Sequence, residues 1–476
     1  MLTPQENELL TRVEGDAPLG RLMRRYWLPA ALSEDLAERD GTPVPVRLFG
    51  EDLVAFRDSE GRLGLIEDAC ARYADRIAYR SMGTAITYRE LEQRSRALGA
   101  WLQQRAGLTS GERVAIMLPN LLQYPIAMFG ALRAGLVVVN VNPLYTATEL
   151  EHQLKDSGAA AVVVLENFAA TLEQALPDTG VRHVIVTGVG DLLHPLKGML
   201  VNAVLRHVQH RVPRWLIPEA RSLREVLKQG RALSLQPVSL DRDDLAYLQY
   251  TGGTTGVAKG AMLTHGNMVA NVLQCRAWFR QKPLENTTFV CALPLYHIFS
   301  LTANCLLFGS LGGSGLLIAN PRDFKGFVRE LRAHPPMFFM GVNTLFNALL
   351  NTPGFADIDC SQLAVTVAGG MALQGSVAER WQAATGFVIT QGWGLTEASP
   401  LVCCNPLVGE DAKFNGSVGL PVSSTEVSIR DEAGQDLGIG VPGEICLRGP
   451  QVMHGYWQRP EDTAQVMLPD GSLRTG

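Results

Sequence analysis

The eleven residues Tyr250–Gly260, YTGGTTGVAKG, gather glycines, threonines and one lysine into a single short loop. Glycines let backbone N–H groups close on an anion, and threonine hydroxyls add donors, so such a loop suits phosphate. The ATPase loop G-x-x-x-x-G-K-[ST] needs Lys directly after its last glycine. Here Val257 and Ala258 follow Gly256, and Lys259 precedes Gly260, so that pattern fails. Which phosphate chemistry the loop serves must be read from the rest of the chain.

Further motifs follow it. ALPLYHIFSL (Ala292–Leu301) places Tyr296 and His297 at a strand end, and VAGGMAL (Val367–Leu373) places Gly369 and Gly370 after an apolar strand. QGWGLTEASP (Gln391–Pro400) joins Trp393 to Thr396 and Glu397, and GEICLRGPQVMHGYW (Gly443–Trp457) closes the set. Each has a bland reading. A His at a strand end is usually half-buried and structural, a Glu after Thr is most often part of a helix cap, a Trp beside glycines usually packs in a core, and a glycine pair usually makes a turn.

In this order and spacing the motifs resemble the adenylate-forming superfamily of acyl-CoA ligases, luciferases and peptide-synthetase adenylation domains, over residues 69–476. The resemblance implies an α/β fold, a large domain of two α/β subdomains plus a small β-barrel. It also implies a reaction. A carboxylate attacks the α-phosphate of ATP, pyrophosphate leaves, and the thiol of coenzyme A displaces AMP from the acyl-adenylate. Such chemistry needs donors and Mg²⁺ to neutralise charge at phosphorus. Carried over by resemblance, Gly253, Thr254, Thr255, Gly256 and Lys259 hold the β- and γ-phosphates, while Thr251 and Glu397 bring in Mg²⁺. Gly369, Gly370 and Trp393, with the flanking Gln391, Gly392 and Gly394, form the adenine slot. Thr396 touches the α-phosphate and His297 borders the carboxylate. GVNTLFNALLN (Gly341–Asn351) and the stretch Leu193–Trp215 are most similar to bacterial long-chain fatty acyl-CoA ligases. A medium-chain or aryl acid, and a carrier protein in place of coenzyme A, stay open, as does a nucleotide- or acyl-binding protein without turnover.

The elements that would position these residues are legible in the same way. Apolar runs, RVAIMLP (Arg113–Pro119), GLVVVNVNP (Gly135–Pro143), AAVVVLE (Ala160–Glu166), HVIVTG (His183–Gly188), PMFFMGVN (Pro336–Asn343), LAVTVAGG (Leu363–Gly370) and GFVITQGWG (Gly386–Gly394), alternate with helical patterns such as Tyr88–Gln104. That alternation predicts parallel sheets covered on both faces. The stretch from Asn286 to Pro321 carries no Asp, Glu, Lys or Arg, yet Pro294, His297, Asn304 and Gly312-Gly313 interrupt it, so a buried strand–loop–helix–strand is expected rather than a membrane span. From Thr425 the pattern becomes antiparallel. Leu193–Trp215 spaces Leu196, Leu200, Val204 and Val208 as one helical face, with Lys197, Arg206, Arg211 and Arg214 basic. Packing of that face on the core is the favoured expectation, and contact with an anionic membrane surface is the alternative.

The bulk numbers set limits. A chain of 476 residues is too long for one core, and a net charge of −5 gives no electrostatic footprint for nucleic acid. The eight cysteines are scattered without a disulfide spacing, which points to the cytoplasm. The N-terminus lacks the apolar run of a secretory signal. Oligomeric state is open.

Two stretches depart from the ligase pattern. MLTPQENELLTRV, LMRRYWLPAALSEDL and VRLFGEDLVAFRDSEGRLGLIED, within residues 1–68, resemble the start of a Rieske oxygenase α-subunit, where the next residues would be C-x-H ligands of a [2Fe–2S] cluster. Here Ala71 and Arg72 follow Cys70, and no cysteine precedes a His by two or three positions, so no cluster is expected and Cys70 reads as an ordinary helix residue. A helix near Gln5–Val13, strands near Val44–Leu48 and Leu53–Arg57, and a hairpin turn at Asp58–Gly61 are expected there. At the other end the chain stops at SLRTG, where the resembled family continues into an Asp for the ribose and a lysine-bearing domain. A truncated ligase, impaired in making acyl-CoA, is the expectation.

Overall fold

The computed structural model describes residues 44–48, 51–55, 65–251, 258–279, 282, 287–408 and 412–476. The chain divides into two units, Met1–Gly64 and Leu65–Gly476. In the first, Val44–Leu48 pairs antiparallel with Glu51–Ala55, Leu48 opposite Glu51. The second strand therefore begins two residues before the expected Leu53. The expected turn and the helix near Gln5–Val13 lie outside the described residues.

The second unit holds two large sheets. Among the described residues the first has seven strands, in spatial order Lys259–Thr264, Leu245–Thr251, Val137–Asn140, Arg113–Met117, Ala159–Leu165, His183–Thr187 and Arg221–Ser222. All pair in parallel except Lys259–Thr264, which turns back against Leu245–Thr251. Among the same residues the second sheet has nine strands. Its parallel centre is Ile389–Gly394, Val365–Ala368, Phe338–Gly341, Thr288–Cys291, Ser314–Leu317 and Ile77–Ser81. Every residue of Val137–Asn140 and Ala159–Leu165 is buried, as continuous apolar strands between helical layers must be.

Local signals set the boundaries. Helix Tyr88–Gln104 starts at a reciprocal cap in which the Thr87 hydroxyl accepts from the Glu90 amide at 3.2 Å and the Glu90 carboxylate accepts from the Thr87 amide at 2.9 Å. It buries Leu91, Leu98, Trp101 and Leu102. The uncharged run forms strand Thr288–Cys291, a helical stretch over 298–310 and strand Ser314–Leu317, with Phe289 stacked on Phe308 at 4.7 Å. Cys70 lies buried in helix Leu65–Arg72. The tail forms an open three-stranded antiparallel sheet, Glu426–Arg430, Glu444–Arg448 and Leu473–Arg474, where a small barrel is expected from the resemblance.

The segment after Leu193 corrects the favoured expectation. Helix Pro195–Ala203 continues into a wider-wound turn, Val204–Val208, but its apolar face turns outward: Leu196, Met199, Leu200 and Val208 are 64–70% exposed. The face turned inward is small and polar. Gly198 packs on Gly190 so closely that a Cβ on Gly198 would lie 2.1 Å from the Gly190 carbonyl oxygen. Asn202 accepts from the Gly190 amide at 2.7 Å and donates to the Asp191 carboxylate at 3.0 Å. Backbone contact and amide hydrogen bonds, rather than apolar packing, decide which face docks.

Candidate active site

A cavity of about 390 Å³ opens where the two large sheets meet, lined from one by Gln249, Tyr250 and Thr251 and from the other by Gly369, Gly370 and Gly392–Glu397. The ends of parallel strands deliver these residues, the usual position for a ligand crevice in an α/β sheet. Gly369 follows Val365–Ala368, and a Cβ there would sit 3.1 Å from the Phe299 ring and 3.2 Å from the Gly392 carbonyl oxygen. Gly370 has φ +74°, a left-handed conformation that glycine adopts freely. The glycine pair leaves a flat opening beside half-buried Trp393.

Strand Ile389–Gly394 runs into a single 3₁₀ turn, Thr396–Ala398. The chain then doubles back into Leu401–Cys404, and a Cβ on Gly394 would lie 1.9 Å from the Pro400 carbonyl oxygen. Ser399 pins this return, its carbonyl accepting from Thr302 Oγ1 at 2.6 Å and its hydroxyl donating to the Gln451 carbonyl at 2.8 Å. Thr396 and Glu397 therefore project from a braced turn into the cavity.

His297 lies on the same cavity and caps the helical stretch behind it, its Nδ1 accepting from the Phe299 amide at 3.3 Å. Burial lowers its pKa, so the imidazole is neutral at pH 7. Gln391 precedes the lining part of its strand, and its buried side-chain oxygen has no partner among the described residues. Gly253, Thr254, Thr255 and Gly256 lie outside the described residues. Thr251 and Lys259 flank that interval as cross-strand neighbours.

Lys259 does not stand free. Its ammonium pairs with Asp462 and sits 5.3 Å from the centre of the Tyr456 ring. The Tyr456 hydroxyl donates to Glu397 Oε1 at 2.8 Å, and burial, then the Glu397 carboxylate, push that phenol's pKa upward. The backbone holds these parts together: Trp457 N donates to Gly260 O at 2.8 Å, Met262 N to Gly455 O at 2.9 Å, and Met453 N to Glu397 O at 2.7 Å. The motif Gly443–Trp457 supplied Tyr456 without marking it, and Asp462 carried no signal beyond its place in the first turn of Pro460–Val466.

Beneath the cavity a buried polar chain joins the sheets. Asn140 Nδ2 donates to Gln249 Oε1 at 3.0 Å and Gln249 Nε2 to the Tyr296 carbonyl at 2.7 Å. The Tyr124 hydroxyl reaches Asn140 Oδ1 at 2.7 Å and the Leu295 carbonyl at 2.8 Å, while Asn120 Nδ2 donates to the carbonyls of Cys291 and Leu293, both at 2.8 Å. These side chains hold strand ends in register without lining the opening, apart from Gln249.

A family model for AMP-binding enzymes matches residues 66–457. The chain belongs to the AMP-binding enzyme family. A long-chain-fatty-acid–CoA ligase from Yersinia pestis is 55% identical over 416 residues, which are 87% of this chain and 73% of that one. Among solved structures, a long-chain-fatty-acid–CoA ligase from Archaeoglobus fulgidus superposes with a TM-score of 0.71 at 26% identity, covering 87% of this chain and 80% of that one. ATP-bound MatB from Rhodopseudomonas palustris superposes with a TM-score of 0.72 at 26% identity, covering 87% and 75%. The cavity brings together a glycine slot beside an aromatic ring, a hydroxyl at Thr396, and a carboxylate with one oxygen engaged by Tyr456.

Proposed function

We propose that the protein is an AMP-forming acid–thiol ligase that converts a long-chain fatty acid to its acyl-CoA at the expense of ATP. The identity of 55% to a long-chain-fatty-acid–CoA ligase carries this reading. The convergence of Gly369, Gly370, Trp393, Thr396 and Glu397 on one cavity supports it. Residues 69–476 form the AMP-binding large domain in this reading, and residues 1–68 a separate extension.

The substrate carboxylate oxygen attacks the α-phosphorus of ATP, and the bond to the pyrophosphate oxygen breaks. The coenzyme A sulfur, its proton lost, then attacks the acyl carbon and AMP departs with the bonding pair. The Trp393 face and the glycine slot hold adenine, and neutral His297 borders the acid without adding a cation against its carboxylate. The Thr396 hydroxyl donates to the α-phosphate, where charge develops in the transition state. Lys259 and residues 253–256 take the outer phosphates. Mg²⁺ arriving with ATP offsets phosphate charge, and Thr251 with Glu397 would hold it.

Fatty-acid-dependent exchange of pyrophosphate into ATP, with acyl-CoA followed by mass spectrometry, tests the assignment. Exchange with oleate that Thr396→Ala and Glu397→Gln abolish is the expected result. Exchange indifferent to the acid, or driven only by an aryl acid, would reject the fatty-acid assignment.

A place in the cytoplasm, with peripheral contact to the inner face of the membrane, belongs to the same reading. No disulfide joins any of the eight cysteines, all of which lie among the described residues, and that suits a reducing compartment. No helix among the described residues is long and apolar enough to cross a membrane. The outward apolar face of Pro195–Val208 is what a membrane surface would cover.

A further inference from the structure

Resting on that membrane-surface reading, we propose that a cleft beside the outward-facing helix binds the phosphate headgroup of an anionic lipid, and that the apolar face of the helix enters the lipid around it. The cleft, about 230 Å³, lies between helices Tyr88–Gln104 and Leu223–Gly230, and Arg94, Arg224, Lys228 and Arg231 converge on it. Asp191 is the single acid in its wall, and it already serves others. Its carboxylate accepts from the Gly188 amide at 2.7 Å and from Asn202 at 3.0 Å, and lies 3.7 Å from Arg224.

Arg94 is the anchor. Its Nη2 bonds the Glu90 carboxylate at 3.0 Å, yet its Nη1 is buried with no hydrogen-bond partner among the described residues. Burial lowers this guanidinium's pKa, and the nearby Arg231 adds to the effect against Glu90. Two guanidiniums held close, one with a buried unfilled donor, are completed by an acceptor with several oxygens. A phosphate monoester or diester supplies that geometry to arginine.

The neighbouring surface selects a lipid over a free phosphate. A second cavity shares Asp191, Leu193 and Arg224 with the first and opens along Pro195 and Met199. A headgroup seated between Arg94 and Arg231 would therefore place its acyl chains toward Met199, Leu196 and Leu200, which are 64–70% exposed. Charge agrees with this: residues 193–231 hold eight Lys and Arg against two Glu, a net of +6, in a chain whose net charge is −5. An outward apolar stripe bordered by cations is the pattern of a helix lying in a membrane interface.

Co-sedimentation with vesicles, without ATP or coenzyme A, tests the proposal. Vesicles of phosphatidylcholine alone are compared with vesicles that also contain phosphatidylglycerol. The wild-type chain should bind the anionic vesicles far better, and added salt should weaken that binding. Lys228→Gln with Arg231→Gln should weaken it about thirtyfold, since each cation at an anionic surface contributes about 1 kcal/mol. Met199→Ser with Leu200→Ser, exposed and so harmless to folding, should reduce binding while keeping its salt dependence. Anionic-vesicle binding unchanged in the charge variant overturns the headgroup cleft. Equal wild-type binding to both vesicles, or to neither, overturns the lipid assignment, as does saturable calorimetric binding of glycerol phosphate without vesicle binding. Pyrophosphate exchange with water-soluble octanoate should stay at the wild-type rate in both variants. Absence of exchange in the wild type with both octanoate and oleate would reject the ligase reading while vesicle binding stands.

Discussion

The hydroxyl of Tyr456 donates a 2.8 Å hydrogen bond to Oε1 of Glu397 while its ring lies 5.3 Å from the Lys259 ammonium. One side chain thus reaches both the proposed metal carboxylate and the lysine proposed to hold phosphate. Tyr456→Phe keeps the ring and removes the donor. Hydrogen bonds to charged groups are worth about 1.5–3 kcal/mol, so the Mg²⁺ concentration for half-maximal exchange should shift by about tenfold or more. The KM for the fatty acid should not move. A purely structural role would lower the melting temperature and leave the Mg²⁺ dependence untouched.

Lys259→Ala should weaken ATP by about ten- to a hundredfold in a calorimetric titration, the range of one charge-assisted bond. Its present partner is the Asp462 carboxylate. In the proposed reading phosphate oxygens take that position, so Asp462→Asn should tighten ATP binding. Weaker ATP binding in Asp462→Asn would mean that the carboxylate orients the lysine instead of competing for it.

Gly394 and Gly392 provide a contrast within one strand. A Cβ on Gly394 would lie 1.9 Å from a backbone oxygen of Pro400, whereas one on Gly392 first meets the Leu401 side chain at 3.4 Å. Gly394→Ala should therefore displace the turn that carries Thr396 and Glu397 and abolish exchange. Gly392→Ala should fold and retain most of its activity. Comparable exchange rates in the two variants would contradict this account of the turn.

Burial holds His265 and His297 below the ordinary imidazole value, with Asp244 opposing the effect at His265. Both are neutral in the native state at pH 7. Below the ordinary value of 6.5, the unfolded chain gains protons that the native chain does not. Stability should fall from there down to the depressed native values, while above 6.5 these histidines add no slope. Urea unfolding midpoints across this window measure it, and His265→Gln should flatten part of the decline. An equally steep decline in the variant would assign it to other groups.

Much of this was legible in the sequence because it depends on patterns that neighbours along the chain share. The strands Val365–Ala368 and Ile389–Gly394 read directly from apolar runs, and the motif residues Gly369, Trp393, Thr396 and Glu397 do converge. What escaped depends on partners distant in sequence. Tyr456 matters through a residue 59 positions away, and Lys259 pairs with one 203 positions away. Helix Pro195–Ala203 inverted its expected face because Gly198 and Asn202 fit Gly190 and Asp191, a close approach that periodicity does not encode.

The amides of Asn140 and Gln249 face each other in one orientation, each with its other end committed to a second partner. Loss of either strands a buried donor or acceptor, at about 1–3 kcal/mol. A lineage therefore cannot drift through these positions one step at a time without passing through a weakened protein. Asn140 and Gln249 should change together or stay as they are, even while the acyl-facing residues above them diversify.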